Sequence, residues 1–484
     1  MDFARKWAVI LQHAPVRVTL LASLMLSLLA ILGVATIGKD AAFYLDTARQ
    51  VSEQGVIAAQ RFDWPWFVLL LAGSHKYLGL PLEFAAYLWC ALFLAGTCAL
   101  LVDVVRRRAP QAVWWAVLVV LAMPAFNEFR NDILREFGFW FFSALALWLA
   151  LNWAERGGWW RALVIFPAIL GAVLFRLEAV LLLPALALWQ LPGLFFRERR
   201  AQILQLYALL GLLAVLGGLA LAALLSLYNL PVYRIVSYVN LLNPLRLIES
   251  FNVFASQFGD SMINKYSRDD AGQIVFFGLL AALLIKFVQL LGPFALLLLD
   301  RASWREMASA IRCFGPFGWA MVLYVLVLLV FFIQQQFINS RYVSFLNLLA
   351  VPLVAVLLAS LAERHPRLGR AFLVLALLVM IANVVSLGAK KTHFVDAGQW
   401  LAQNTPASAA TYYDDGRIAY YAGRGYPFSP PQQAALEQPE AFEYLLIEAD
   451  GDEPWLLEWL AQKQLRVLAR FANRKDDAVL VIGR

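Results

Sequence analysis

Several ionisable residues stand where this chain is otherwise apolar, and their types are those that move protons and hold anions. Asp40 follows the first apolar block, and Asp132 and Glu136 precede another. Arg176 and Glu178 lie between two apolar segments, Lys286 falls inside the run Ile274 to Leu299, and Arg341-Tyr342 comes before a further run. Carboxylates at such positions accept or orient protons, and fixed cations neutralise anions. A charge within a hydrocarbon span costs about 3 kcal/mol unless it is paired or faces water, which marks Lys286 as a functional candidate. Each residue also has a plainer reading. Lys286 can snorkel to the interface if its span starts later. Arg176 can pair with Glu178 or Asp132, Arg341 can anchor at the interface, and Asp132 can cap the span it precedes.

The segment Lys39 to Gly55 is the most informative. Read as a helix, it puts Asp40, Phe43, Tyr44 and Thr47 on one face at i, i+3, i+4 and i+7. Asp46, Arg49 and Glu53 form an ion-paired face, and Gly55 is placed to end the helix. Asp40 also suits an N-cap, a role compatible with proton transfer. Trp64 and Trp66 flank Pro65, where they can stack on a sugar or prenyl chain or join an interfacial belt. His75 and His393 read as surface residues. Cys90, Cys98 and Cys313 show no metal or disulfide spacing.

Positioning these residues requires a membrane. The 484 residues are 62% apolar and only 15% charged, with mean hydropathy +0.68. The apolar residues come in blocks of about 20, the length that crosses hydrocarbon as a helix. About eleven spans are expected, near 16–37, 81–105, 110–126, 133–153, 159–175, 177–195, 202–227, 274–299, 314–334, 343–361 and 370–389. The first is too long for a signal-peptide core and reads as an uncleaved anchor. The net charge of +7 gives no reason to invoke nucleic acid, because Arg106 to Arg108, Arg197 to Arg200, Arg364 and similar clusters mark alternate helix ends. With Arg5 and Lys6 they place the N-terminus in the cytoplasm, and an odd number of spans puts the C-terminus outside.

The non-cytoplasmic side then carries a long first loop, 38–80, and a second, 228–273, rich in Asn and Tyr. Residues 1–391 form the membrane module. Residues 392–484 fall in hydropathy and read as a small periplasmic α/β domain, with strands in AATYYDD, YLLIEA, LRVLARF and AVLVIG and a helix over Trp455 to Lys463. The polar stretches cluster on one membrane face, which is how a multi-helix active site is assembled.

An acid just after the first span, then Tyr44 and a surface helix, then Phe62-Asp63-Trp64-Pro65-Trp66-Phe67, resembles the GT-C membrane glycosyltransferases. Among these, the pattern is similar to the bacterial lipid A aminoarabinose transferases and protein O-mannosyltransferases. Asn131-Asp132, Phe175-Arg176-Leu177-Glu178, Ser340-Arg341-Tyr342 ahead of Pro352, and Gln399-Trp400-Leu401 continue the resemblance over most of the chain. The resemblance implies sugar transfer from a polyprenyl-phosphate-linked donor to a lipid, glycan or protein acceptor on the outer face of a bacterial inner membrane. It makes Asp40 the general base of an inverting reaction, and the negative charge of a leaving polyprenyl phosphate makes Arg176, Arg341 and Lys286 the candidate cations to meet it. Asp132 and Glu136 become supporting acids or ligands of a divalent cation. Tyr44, Trp64, Trp66, Glu178 and Tyr342 become substrate contacts. One departure limits the transfer: protein O-mannosyltransferases carry a paired Asp-Glu, and here Asp40 precedes Ala41. Acceptor class and metal requirement do not carry over.

Two other functions fit the same composition. A flippase or transporter for a lipid-linked saccharide would share the cationic cavity, but its cytoplasmic loops should hold more than basic anchors. An assembly scaffold would leave Lys286 unexplained. No Walker A, GxSxG or HExxH sequence is present, which gives no support to ATP-driven transport, hydrolase or zinc-protease chemistry.

Overall fold

The computed structural model describes residues 14–241, 243–262, 264, 266, 268–385 and 388–484; Arg5 and Lys6 lie outside them. The chain forms two compact units. The larger holds residues up to Leu29, Trp89–Arg130 and Arg135–Val384, and the smaller holds Ala30–Leu88, Asn131–Leu134 and Val385–Arg484.

Among the described residues, nine helices are long and apolar enough to cross a membrane. Two of the expected spans are represented by shorter apolar stretches, Pro110–Ala122 and Trp159–Phe175. The chain is a polytopic α-helical membrane protein. The Ser340–Arg364 helix is the hub of the larger unit, with 78% of its apolar window buried. It continues through Pro352. Asn339 starts it by accepting the Arg341 N–H at 3.1 Å, the capping bond that satisfies an orphan donor. Arg341 and Tyr342 therefore belong to the first turn of this helix.

Many of the basic residues expected to set topology are also ion-paired. Arg106 and Arg107 clasp Asp103, Arg108 meets Glu155, and Arg364 holds Asp300 and Glu306. Arg130 is buried and ties the first helix down through the Ser23 carbonyl and the Ser23 and Ser27 hydroxyls. The second long loop is more regular than expected. It contains the helices Tyr233–Leu241 and Pro244–Asp260, the latter capped by Asn243. Asp132 caps nothing in the fourth span, because that helix begins at Glu136 after Arg135.

The smaller unit contains the Lys39–Gln54 helix, the Trp66–Leu78 helix and a four-stranded sheet. The strands are β1 (Thr411–Tyr413), β2 (Tyr444–Glu448), β3 (Arg466–Ala472) and β4 (Ala478–Gly483), in the order β1-β2-β4-β3. Only β1 and β2 run parallel. All of β4 is buried, which explains why AVLVIG is apolar without alternation. Leu446, Val479 and Val481 pack with Phe394, Leu401 and Ile418. Leu445, Ile447, Leu480 and Ile482 pack on the other face with Leu456 and Leu460 of the Pro454–Lys463 helix.

The His393–Asn404 helix meets the Gly416–Tyr421 helix at Gly398. A Cβ there would sit 2.8 Å from the Ile418 carbonyl oxygen and 3.1 Å from the Ala422 nitrogen. Because backbone atoms cannot turn aside as a side chain can, Gly398→Ala should cost about 1–3 kcal/mol. Thermal melting of the purified chain checks this, and an unchanged midpoint would show that the two helices separate freely.

His393 is fully buried instead of lying at the surface. Its ring lies 4.2 Å from that of Phe394, and neither ring nitrogen meets a hydrogen-bond partner among the described residues. Burial holds the imidazole below its ordinary value, Lys391 and Arg417 reinforce the shift, and Asp477 and Asp396 oppose it. The unfolded chain therefore binds the proton more readily. The stabilising effect is complete above about pH 6.5 and is lost as pH falls from there toward the folded value. Melting should drop between pH 7 and 5, and His393→Phe should flatten that dependence.

Candidate functional site

The candidate residues divide between the two units. In the smaller unit, Asp40 is half-buried in the first turn of the Lys39–Gln54 helix. Gly38 is the N-cap, so Asp40 caps nothing; its charge instead favours the positive end of the helix dipole. The expected face is present. Tyr44 and Thr47 are buried, and Tyr44 packs on Phe62 and Phe67 at 5.5 and 5.7 Å between ring centres. Asp132 approaches the same helix end, its Oδ1 3.7 Å from where a Gly38 Cβ would be. Trp64 is 1% exposed, which makes it a core residue and not part of an interfacial belt. Trp66 is half-buried and meets Trp64 edge to face at 6.4 Å.

The other side of this helix is organised by Asp46, whose carboxylate is fully buried. Its Oδ1 accepts from Arg49 at 2.6 Å. Its Oδ2 accepts from Gln50, Arg61 and the Tyr426 N–H, each at 2.9 Å. The Asp46–Arg49 pair was legible as an i, i+3 spacing; Arg61 and Tyr426 were not. They come from 15 and 380 residues away.

In the larger unit, Arg176 is 5% exposed and saturated by carboxylates. Nη1 donates to Glu136 at 2.8 Å, and Nη2 to Glu178 at 2.5 Å. Its guanidinium carbon lies 4.4 Å from the centre of the Tyr342 ring. The Tyr324 hydroxyl donates to the Tyr342 carbonyl at 2.9 Å. Tyr238, from the second long loop, bonds the same Glu178. Burial and that carboxylate push its phenol well up, so it stays protonated as a donor.

Lys286 is half-buried on the Ala271–Leu291 helix, and the Glu128 carboxylate is its Coulombic counterpart. Glu128 was inside a polar stretch of the sequence without a spacing to single it out. Arg341 is half-buried in the first turn of the Ser340–Arg364 helix. Among the described residues, no three His, Cys, Asp or Glu side chains gather to hold a metal ion. Asp132 belongs to the smaller unit and Glu136 to the larger.

No family model and no curated sequence matches the chain. Its architecture does match solved structures. A helical membrane core joined to a small sheet domain, in this order, is the GT-C fold. The chain is similar to ArnT from Cupriavidus metallidurans bound to undecaprenyl phosphate, with a TM-score of 0.60, 14% identity, and coverage of 99% of this chain and 98% of that one. The apo state of the same protein aligns equally well. The Archaeoglobus fulgidus oligosaccharyltransferase tethered with an acceptor peptide is also similar, with a TM-score of 0.51, 12% identity, and coverage of 93% of this chain and 70% of that one.

Proposed function

We propose that this chain is an inverting glycosyltransferase that moves a sugar from a polyprenyl-phosphate donor to an acceptor hydroxyl on the periplasmic face of a bacterial inner membrane. The observation that carries the reading is the end-to-end likeness in fold to a protein holding undecaprenyl phosphate. The placement of Asp40 supports it: a half-buried carboxylate in the first turn of the helix that follows the first span.

In the reaction, Asp40 takes the proton of the acceptor hydroxyl as its oxygen bonds to the anomeric carbon. The bond from that carbon to the phosphate oxygen breaks, and its electron pair leaves with the polyprenyl phosphate. Lys286 and Arg341 meet the charge on that phosphate. Arg176 is already committed to Glu136 and Glu178, so its part is to hold Tyr342 and the buried carboxylates in place.

The test is a one-to-one release of polyprenyl phosphate with glycosidic bond formation, using the purified chain, labelled undecaprenyl-phosphate sugar and membrane extract as acceptor. Movement of the intact lipid-linked saccharide across proteoliposomes, with no bond formed, would overturn the proposal in favour of a flippase.

A further inference from the structure

The loop at residues 424–428 belongs to the C-terminal segment, yet it is fastened to the helix that carries Asp40. The Tyr426 N–H reaches Asp46, and Arg61 bridges Asp46 to the Tyr426 carbonyl at 2.5 Å. The Tyr426 ring lies 5.6 Å from Phe43, the residue one turn beyond Asp40 on the same face. It also rests on Gly416, where a Cβ would come within 2.6 Å of the ring. Next to it, Phe428 is 71% exposed but held in place, 5.8 Å from Phe43 and 5.3 Å from the Arg61 guanidinium carbon. A large aromatic side chain that is both fixed and exposed presents a surface for something to pack on.

We propose that Tyr426 and Phe428 form the acceptor wall of the Asp40 site and take the saccharide part of the acceptor, with the Tyr426 hydroxyl bonded to an acceptor hydroxyl beside the carboxylate. A sugar ring presents apolar C–H faces and polar hydroxyl edges, which suits aromatic faces adjoining one phenol. The phenol is equipped for this as a donor. Burial with the nearby Asp415 and Asp40 carboxylates pushes it up to about 12, so it keeps its proton at any working pH. The buried Asp46 cluster is then the fastening that keeps the wall in register with the base.

This inference rests on the glycosyltransferase reading, and the test separates the two. With labelled undecaprenyl-phosphate sugar as donor and serially diluted membrane extract as acceptor, apparent half-saturation is measured for each. Tyr426→Phe should raise the acceptor value about three- to ten-fold, the loss of one hydrogen bond. Donor half-saturation and melting temperature should stay at the parent values. Phe428→Ala, which removes an exposed ring, should raise the acceptor value similarly. Unchanged acceptor half-saturation in both variants overturns the wall, as does a joint loss of donor binding and thermal stability. Failure of the parent chain to form any glycosidic bond from that donor would instead defeat the underlying reading.

Discussion

Asp40→Asn will reduce sugar transfer by about 10²- to 10⁴-fold, the range supplied by a positioned general base. The amide keeps the shape of the side chain but cannot accept the acceptor proton. The fold should survive. Asp40 fills no cap, because Gly38 occupies that position without a side-chain bond, and the charge lost from the first turn is worth about 0.3–1 kcal/mol. Transfer from labelled undecaprenyl-phosphate sugar, measured with the melting midpoint on one preparation, separates chemistry from stability. Asp40→Glu should retain part of the rate, since it restores a carboxylate at the wrong reach. Parent-level transfer in the asparagine variant would falsify the assignment of the base.

Arg176→Met will destabilise the larger unit by about 3–5 kcal/mol, the cost of stranding buried charge after one partner is removed. Both carboxylates are nearly inaccessible, with side-chain exposures of 5% for Glu136 and 9% for Glu178. Lysine should not rescue fully, because an ammonium lacks the planar fork that reaches two carboxylates at once. The decisive variant neutralises the whole cluster. Adding Glu136→Gln and Glu178→Gln to Arg176→Met should recover most of the lost stability, since no unpaired charge then remains buried. If the single and triple variants melt together, the cluster is solvated and the ion-pair account is wrong. Loss of transfer with intact melting in the single variant would instead point to direct contact with the donor phosphate.

The face of Asp40, Phe43, Tyr44 and Thr47 was legible because a helix repeats every 3.6 residues and needs only local spacing. The Asp46–Arg49 pair followed from the same rule. The choice of partner for Arg176 did not: Glu178 is two residues away, but Glu136 is 40 residues distant and was weighed only as a supporting acid. Trp64 read in sequence as a belt or stacking residue and His393 as a surface residue, yet both are enclosed by packing that no local pattern records.

By itself the sequence determined the membrane class, the approximate spans and the strands of the small sheet, since hydrocarbon thickness and helical or strand period act on contiguous residues. Tertiary structure alone decided that the loop at 424–428 reaches the helix of Asp40 and that Glu128 is near enough to Lys286 to feel its charge. Those pairings depend on which surfaces meet once the chain has packed, and burial then makes an unmatched charge too costly to keep. Long-range partners are selected by that cost and leave no spacing to read.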